Sequence, residues 1–175
     1  MSGDTMVFLA VRVLHVVLAG IWLGAAFFVV MFLMPVVSQP GPAGGQILTG
    51  VVRRGMAPFM ASIGGTTILT GFYLFWRFTG GFDPVVSASR GGMAFSIGAL
   101  TGVIALILGG SMVGRSAKKI AELTTKATGL PDGADRAAMM SEMTALKAKM
   151  TTFGRIVVVL LVISMATMAL GHYIG

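Results

Sequence analysis

Long apolar runs alternate with short polar breaks along this chain, and four of the runs exceed or approach the roughly 20 mainly apolar residues that cross a bilayer as a helix. They lie at about 6–34, 57–78, 92–114 and 153–174. The fold expected from this pattern is all-α: an integral membrane antiparallel four-helix bundle forming a single domain over 1–175. The first run is longer than a span requires. Snorkelling of Arg12 to the interface and a helix stop at Pro35 bring its hydrocarbon-crossing part to about 13–34.

The breaks predict the connections. Residues 35–45 are rich in Pro and Gly and lead to a short apolar stretch ending in Arg53-Arg54, which reads as a loop with an interfacial helix. A short hairpin loop at 79–91 joins the second and third spans. The polar segment 115–152 reads as a helical cytoplasmic hairpin that turns at 129–133. In it Ile120, Leu123, Met139, Met143 and Leu146 supply an apolar seam while the charges stay outside.

Composition narrows the class. With 55% hydrophobic and 11% charged residues, and a mean hydropathy of +0.90, the chain falls outside the range of soluble globular domains. The absence of cysteine removes disulfides, thiolate metal sites and iron–sulfur clusters, so a metal would need His, Met or oxygen ligands. The net charge of +7 gives no nucleic-acid stripe, because the basic residues flank the apolar runs. Asp4 stands where a signal peptide carries a basic region, so the first run is expected to persist as a span.

Arg53, Arg54, Arg115, Lys118, Lys119, Lys126, Arg136, Lys147, Lys149 and Arg155 share one side of a four-span topology, against Arg12, Arg77 and Arg90 on the other. The positive-inside rule then places both termini outside, on the periplasmic face of a bacterial inner membrane.

Candidate chemistry concentrates near that outer face. Arg12 and His15 lie within the first apolar run, and ionisable groups there usually face a bundle interior and serve a function. Trp22 follows His15 by two helical turns on one face. The two histidines of the chain, His15 and His172, sit near the start of the first span and the end of the last, at comparable depth. Bis-His ligation of one haem b is feasible, with Arg12, Arg77 and Arg90 placed to pair with its propionates. The third span has Gly98, Gly102, Ala105 and Gly109 at helical spacing, a smooth face that would admit a close helix or a flat ligand. A second constellation, Met165, Met168 and His172 with His15 opposite, suits Cu(I), although methionine at such spacing is also ordinary packing. Gly20 and Gly24 form a small-xxx-small pair, for which helix packing is the default explanation. No Asp or Glu lies within the spans, which argues against a carboxylate proton relay.

Leu14-His15 with Trp22-Leu23-Gly24, the Gly41-Pro-Ala-Gly-Gly turn, Leu69-Thr-Gly-Phe-Tyr-Leu-Phe-Trp76 and Gly80-Gly-Phe82 give the chain a resemblance to small four-helix members of the copper resistance protein D superfamily. That resemblance implies copper handling, with His15 as a ligand. The His15-to-Trp22 spacing also resembles the small haem-binding membrane protoporphyrinogen oxidases, which implies a haem held through the first-span His. Val29-Val30-Met31 stands where that family carries a Leu-Pro-Arg turn, so the likeness extends to haem binding and not to the oxidase activity.

The expected function is a membrane haem b protein in electron transfer or redox sensing near the outer surface. A copper-binding or copper-transport protein and a cofactor-free accessory subunit of a membrane complex are the alternatives. The expected partners are the lipid bilayer, a membrane or periplasmic redox partner or larger complex, and a second copy in a homo-oligomer.

Overall fold

The computed structural model describes residues 2–39, 43–171 and 173–174. Among these there are helices and turns and no strand. Four helices are long and apolar enough to cross a membrane: α1 (Gly3–Val37), α3 (Met56–Phe78), α5 (Arg90–Thr128) and α6 (Ala134–Gly171). Their outward faces carry Val13, Leu69, Leu100 and Val159, each more than half exposed, an apolar surface suited to lipid. These features mark a multi-pass membrane protein.

α1 does not stop at Pro35. It widens into a π-helical turn over Val29–Leu33, in which the Met34 N–H bonds to the Val29 carbonyl, and resumes as α-helix through Val37. Proline lacks the donor for the carbonyl four residues earlier and its ring crowds that carbonyl; the wider turn redistributes the ladder and lets the helix continue. A second π-helical segment, Gly109–Gly114, lies within α5, where no proline stands.

The expected interfacial helix exists as α2 (Ala43–Arg53), but its apolar face is covered by protein. Leu48 is buried in a cluster with Met34 and Val37 from α1, Ile120 and Leu123 from α5, and Met143 and Met150 from α6. Gly44 and Gly45 permit this approach: a side chain at Gly44 would run into the Val37 carbonyl, and one at Gly45 would come within 2.7 Å of Thr124 Oγ1. The polar halves of α5 and α6 therefore continue the membrane helices and close over α2 as a small second core.

The other connection is held by side-chain hydrogen bonds. Thr79 is buried at the end of α3, and its hydroxyl donates to Phe75 O at 2.9 Å while accepting from Phe82 N at 2.8 Å. Gly80 and Gly81 supply the positive φ angles of the turn, where Phe82 also adopts φ 67°. Asp83 caps the short helix α4 (Pro84–Ser87), and Ser89 caps α5 through Gly92 N.

Within the spans, α5 packs most extensively on α6 and α1 on α3, while α3 with α5 and α1 with α6 make smaller contacts. Trp22, Ala26, Ala105, Val157 and Leu161 form the shared core. The register is set by small residues. Gly154 receives Val30, Gly64 receives Trp22 and Leu106, Gly102 receives Ile68, and Gly98 receives Met168 and Thr167. By contrast, nothing lies within 4 Å of a side chain built at Gly20 or Gly24, so this pair does not serve packing within the chain.

Candidate functional site

The helix pair α1 and α3 meets through a large-on-small match that repeats after seven residues. His15 lies against Gly71 and Trp22 against Gly64, so the ring-bearing face of the first helix fits the stripe Gly64, Thr67, Gly71 of the second. A methyl group at position 71 would sit 2.9 Å from His15 Cε1, so the imidazole can lie flat to α3 only because residue 71 is glycine. Trp22 is 4% exposed and anchors the match from below.

Two hydrogen bonds fix the orientation of the His15 ring. Nδ1 lies 2.9 Å from the Thr67 carbonyl oxygen and 3.1 Å from Thr70 Oγ1. The carbonyl can only accept. The Thr70 hydroxyl already directs its proton to the Thr66 and Thr67 carbonyls, at 2.8 and 3.0 Å, and so offers a lone pair to the ring. Both partners are satisfied together when Nδ1 carries the proton, which in a neutral imidazole leaves the Nε2 lone pair uncommitted. A ring N–H held by a backbone carbonyl, with the opposite nitrogen available, is the arrangement by which metal-ligating histidines are oriented.

The other expected site residues are distributed as follows. Trp22 shares the His15 face and is buried. Arg12 is exposed one turn toward the N-terminus, Arg77 is exposed near the end of α3 and Arg90 is exposed at the start of α5. None of the three makes an ion pair among the described residues, where the one ion pair is Arg136 with Asp132. His172 lies outside the described residues; Gly171 before it is buried against Phe95 and Ala94. Met168 is packed onto Gly98 and Met165 lies on an exposed side, while both hydrogen bonds of His15 go to α3. The described residues contain no cluster of three or more His, Asp or Glu side chains able to hold a metal ion.

Of the two occupants expected for the smooth face of the third span, a close helix is the one found from Gly98 to Ala105, where neighbouring helices leave no room for a flat ligand, while nothing lies within 4 Å of a side chain built at Gly109. Met168 and Thr167 cover Gly98, Ile68 and Ser164 cover Gly102, Ala105 is fully buried, and Ser164 Oγ donates to Gly98 O at 2.7 Å. The fit to haem is therefore divided. His15 Nε2 would serve as an iron ligand, whereas a porphyrin plane has no room against α5 at Gly98–Gly102.

Thr67, Thr70 and Gly71 were not singled out as site residues from the sequence. The readable signal was the small and hydroxylated stripe Gly64, Thr67, Gly71, with Thr70 beside it, inside an otherwise apolar run. No family model, curated protein or solved structure matches the chain.

Proposed function

We propose that the chain is an antiparallel four-helix membrane bundle in which His15, through Nε2, and His172 would hold the iron of one haem b near one membrane surface. The role is electron transfer or redox sensing. The observation that carries this reading is the Nδ1 contact to the Thr67 carbonyl, which presents Nε2 as the donor nitrogen. The opposite sequence order of the contacts His15–Gly71 and Trp22–Gly64, and of Gly98–Met168 and Gly171–Phe95, supports the antiparallel arrangement. The resemblances to haem-binding and copper-handling membrane families support metal or haem chemistry at His15.

When bound, the haem supplies one-electron exchange. The chain's own residues do the remaining work. Thr67 and Thr70 fix the imidazole plane and its tautomer, Gly71 lets the ring seat, and Trp22 closes the floor of the α1–α3 match. Arg12, one turn above His15 and without a carboxylate partner among the described residues, would neutralise an anionic propionate. With two histidines in the chain there is at most one bis-His haem, so passing electrons across the whole bilayer through a pair of such haems requires a partner.

The reading is tested by haem content. Protein expressed with added haem precursor and purified in detergent should carry close to one haem per chain, and His15→Ala should lose it while keeping its helical spectrum. Haem retained in full by folded His15→Ala would overturn the assignment.

A further inference from the structure

A second site lies at the opposite end of the molecule from His15. Thr49, Val52 and Arg53 form one stripe on α2, and Lys118, Ala121 and Glu122 form the facing stripe on α5; together they line an open cleft of about 240 Å³. That is below the roughly 300–1,000 Å³ of closed small-molecule sites, and is room for a headgroup rather than a whole ligand. Arg53 and Lys118 are exposed and are in no ion pair among the described residues, including with Glu122 one turn away. Arg54, Arg115 and Lys119, close in sequence to these two cations, add positive charge that is in no ion pair among the described residues.

The depth of the cleft identifies what it would meet. Arg53 precedes the first residue of α3 by three positions, and Lys118 follows Gly114, the end of the apolar run of α5, by four. At about 1.5 Å per helical residue Lys118 lies about 6 Å beyond Gly114, and Arg53 is separated from α3 only by the turn at Arg54 and Gly55, so both cations fall near the depth of the phosphate layer. Val52 and Ala121 give the cleft an apolar floor beside its cations. Glu122 opposes a bare anion, but its carboxylate accepts hydrogen bonds from a hydroxylated headgroup.

We propose that the α2–α5 cleft binds the headgroup of one anionic phospholipid, with Arg53 and Lys118 on the phosphodiester and Glu122 facing the headgroup hydroxyls. Clusters of Lys and Arg at this depth attract anionic lipid. The inference rests on the membrane-spanning part of the proposed function and is independent of haem.

The test is native mass spectrometry of the full chain in detergent, titrated separately with phosphatidylglycerol and phosphatidylcholine. The expected result is preferential retention of one phosphatidylglycerol, weakened about fivefold by Arg53→Gln or Lys118→Gln and unchanged by Arg136→Gln. Glu122→Gln keeps an accepting carbonyl oxygen for the headgroup hydroxyls while removing the charge that opposes the phosphodiester, so it should strengthen retention, a gain that misfolding does not produce. Equal retention of the two lipids, or an Arg53→Gln/Lys118→Gln double variant that binds as the unsubstituted chain does, would overturn the proposal. Complete displacement by soluble glycerol phosphate would assign the cleft to a free anion and overturn the lipid. A chain that stays soluble without detergent would overturn both this inference and the membrane reading; loss of haem alone would touch neither.

Discussion

His15 Nδ1 lies 2.9 Å from the backbone carbonyl oxygen of Thr67, a contact between two apolar helices across a sequence separation of 52 residues. Interhelical hydrogen bonds of this kind within a membrane average about 0.6 kcal/mol and reach about 1.7 kcal/mol. His15→Ala should therefore destabilise the α1–α3 pair by about 1 kcal/mol beyond its packing loss. Thr70→Val should cost less, because the Thr67 carbonyl still receives the ring proton. The midpoint of detergent-induced unfolding, followed by circular dichroism, separates the two variants; a larger loss for Thr70→Val would place the dominant bond on the hydroxyl.

Gly71 and Gly20 make opposite predictions although both are glycines within spans. Gly71→Ala forces a methyl group to 2.9 Å from His15 Cε1 and should cost about 1–3 kcal/mol, with displacement of the ring. Gly20→Ala meets nothing within 4 Å and should be neutral, or stabilising by up to about 1 kcal/mol through helix propensity. The same unfolding titration reads both, and a destabilised Gly20→Ala would show that this face packs on another chain.

The two tryptophans differ in the same measurable way. Trp22, at 4% exposure, fills the space between Gly64 and the core, so Trp22→Ala should cost about 3–5 kcal/mol. Trp76 is 44% exposed, and Trp76→Ala should stay within about 0.5 kcal/mol. Equal losses in the two variants would contradict the burial difference.

Gly44 tests the second core. A side chain there collides with the Val37 carbonyl, so Gly44→Ala should detach α2 and expose its flanks to protease while leaving the spans folded. Limited proteolysis should then cut near 38–56 many times faster than in the unsubstituted chain. An unchanged digestion pattern would mean that α2 is held by something other than this close approach.

These contrasts show what could be read from the sequence. The four apolar helices were legible because a membrane solvent demands long uninterrupted apolar runs, and His15 and Trp22 stood out because each is conspicuous against such a run. The partners of His15 were not legible, since Thr67, Thr70 and Gly71 are unremarkable until the α1–α3 register brings them to the ring. Proline chemistry alone placed a stop at Pro35, whereas the π-helical turn at Val29–Leu33 absorbs it. Small-residue spacing looked alike at Gly20–Gly24 and Gly98–Gly102, yet one pair is open and the other filled, because spacing does not tell which face meets a neighbour. The α2 helix was expected at the interface because its apolar face was visible, but its cover, the continued halves of α5 and α6, is a tertiary feature.

The proposal that His15 would hold a haem iron through Nε2 has a direct optical readout. The dithionite-reduced minus oxidised absorption spectrum of detergent-purified protein, recorded beside folded His15→Ala, tests it most directly. Sharp visible bands of a b-type haem are expected in the unsubstituted chain, with their loss in His15→Ala. Unchanged bands in His15→Ala, or a featureless spectrum from unsubstituted protein made with ample haem supply, would contradict it.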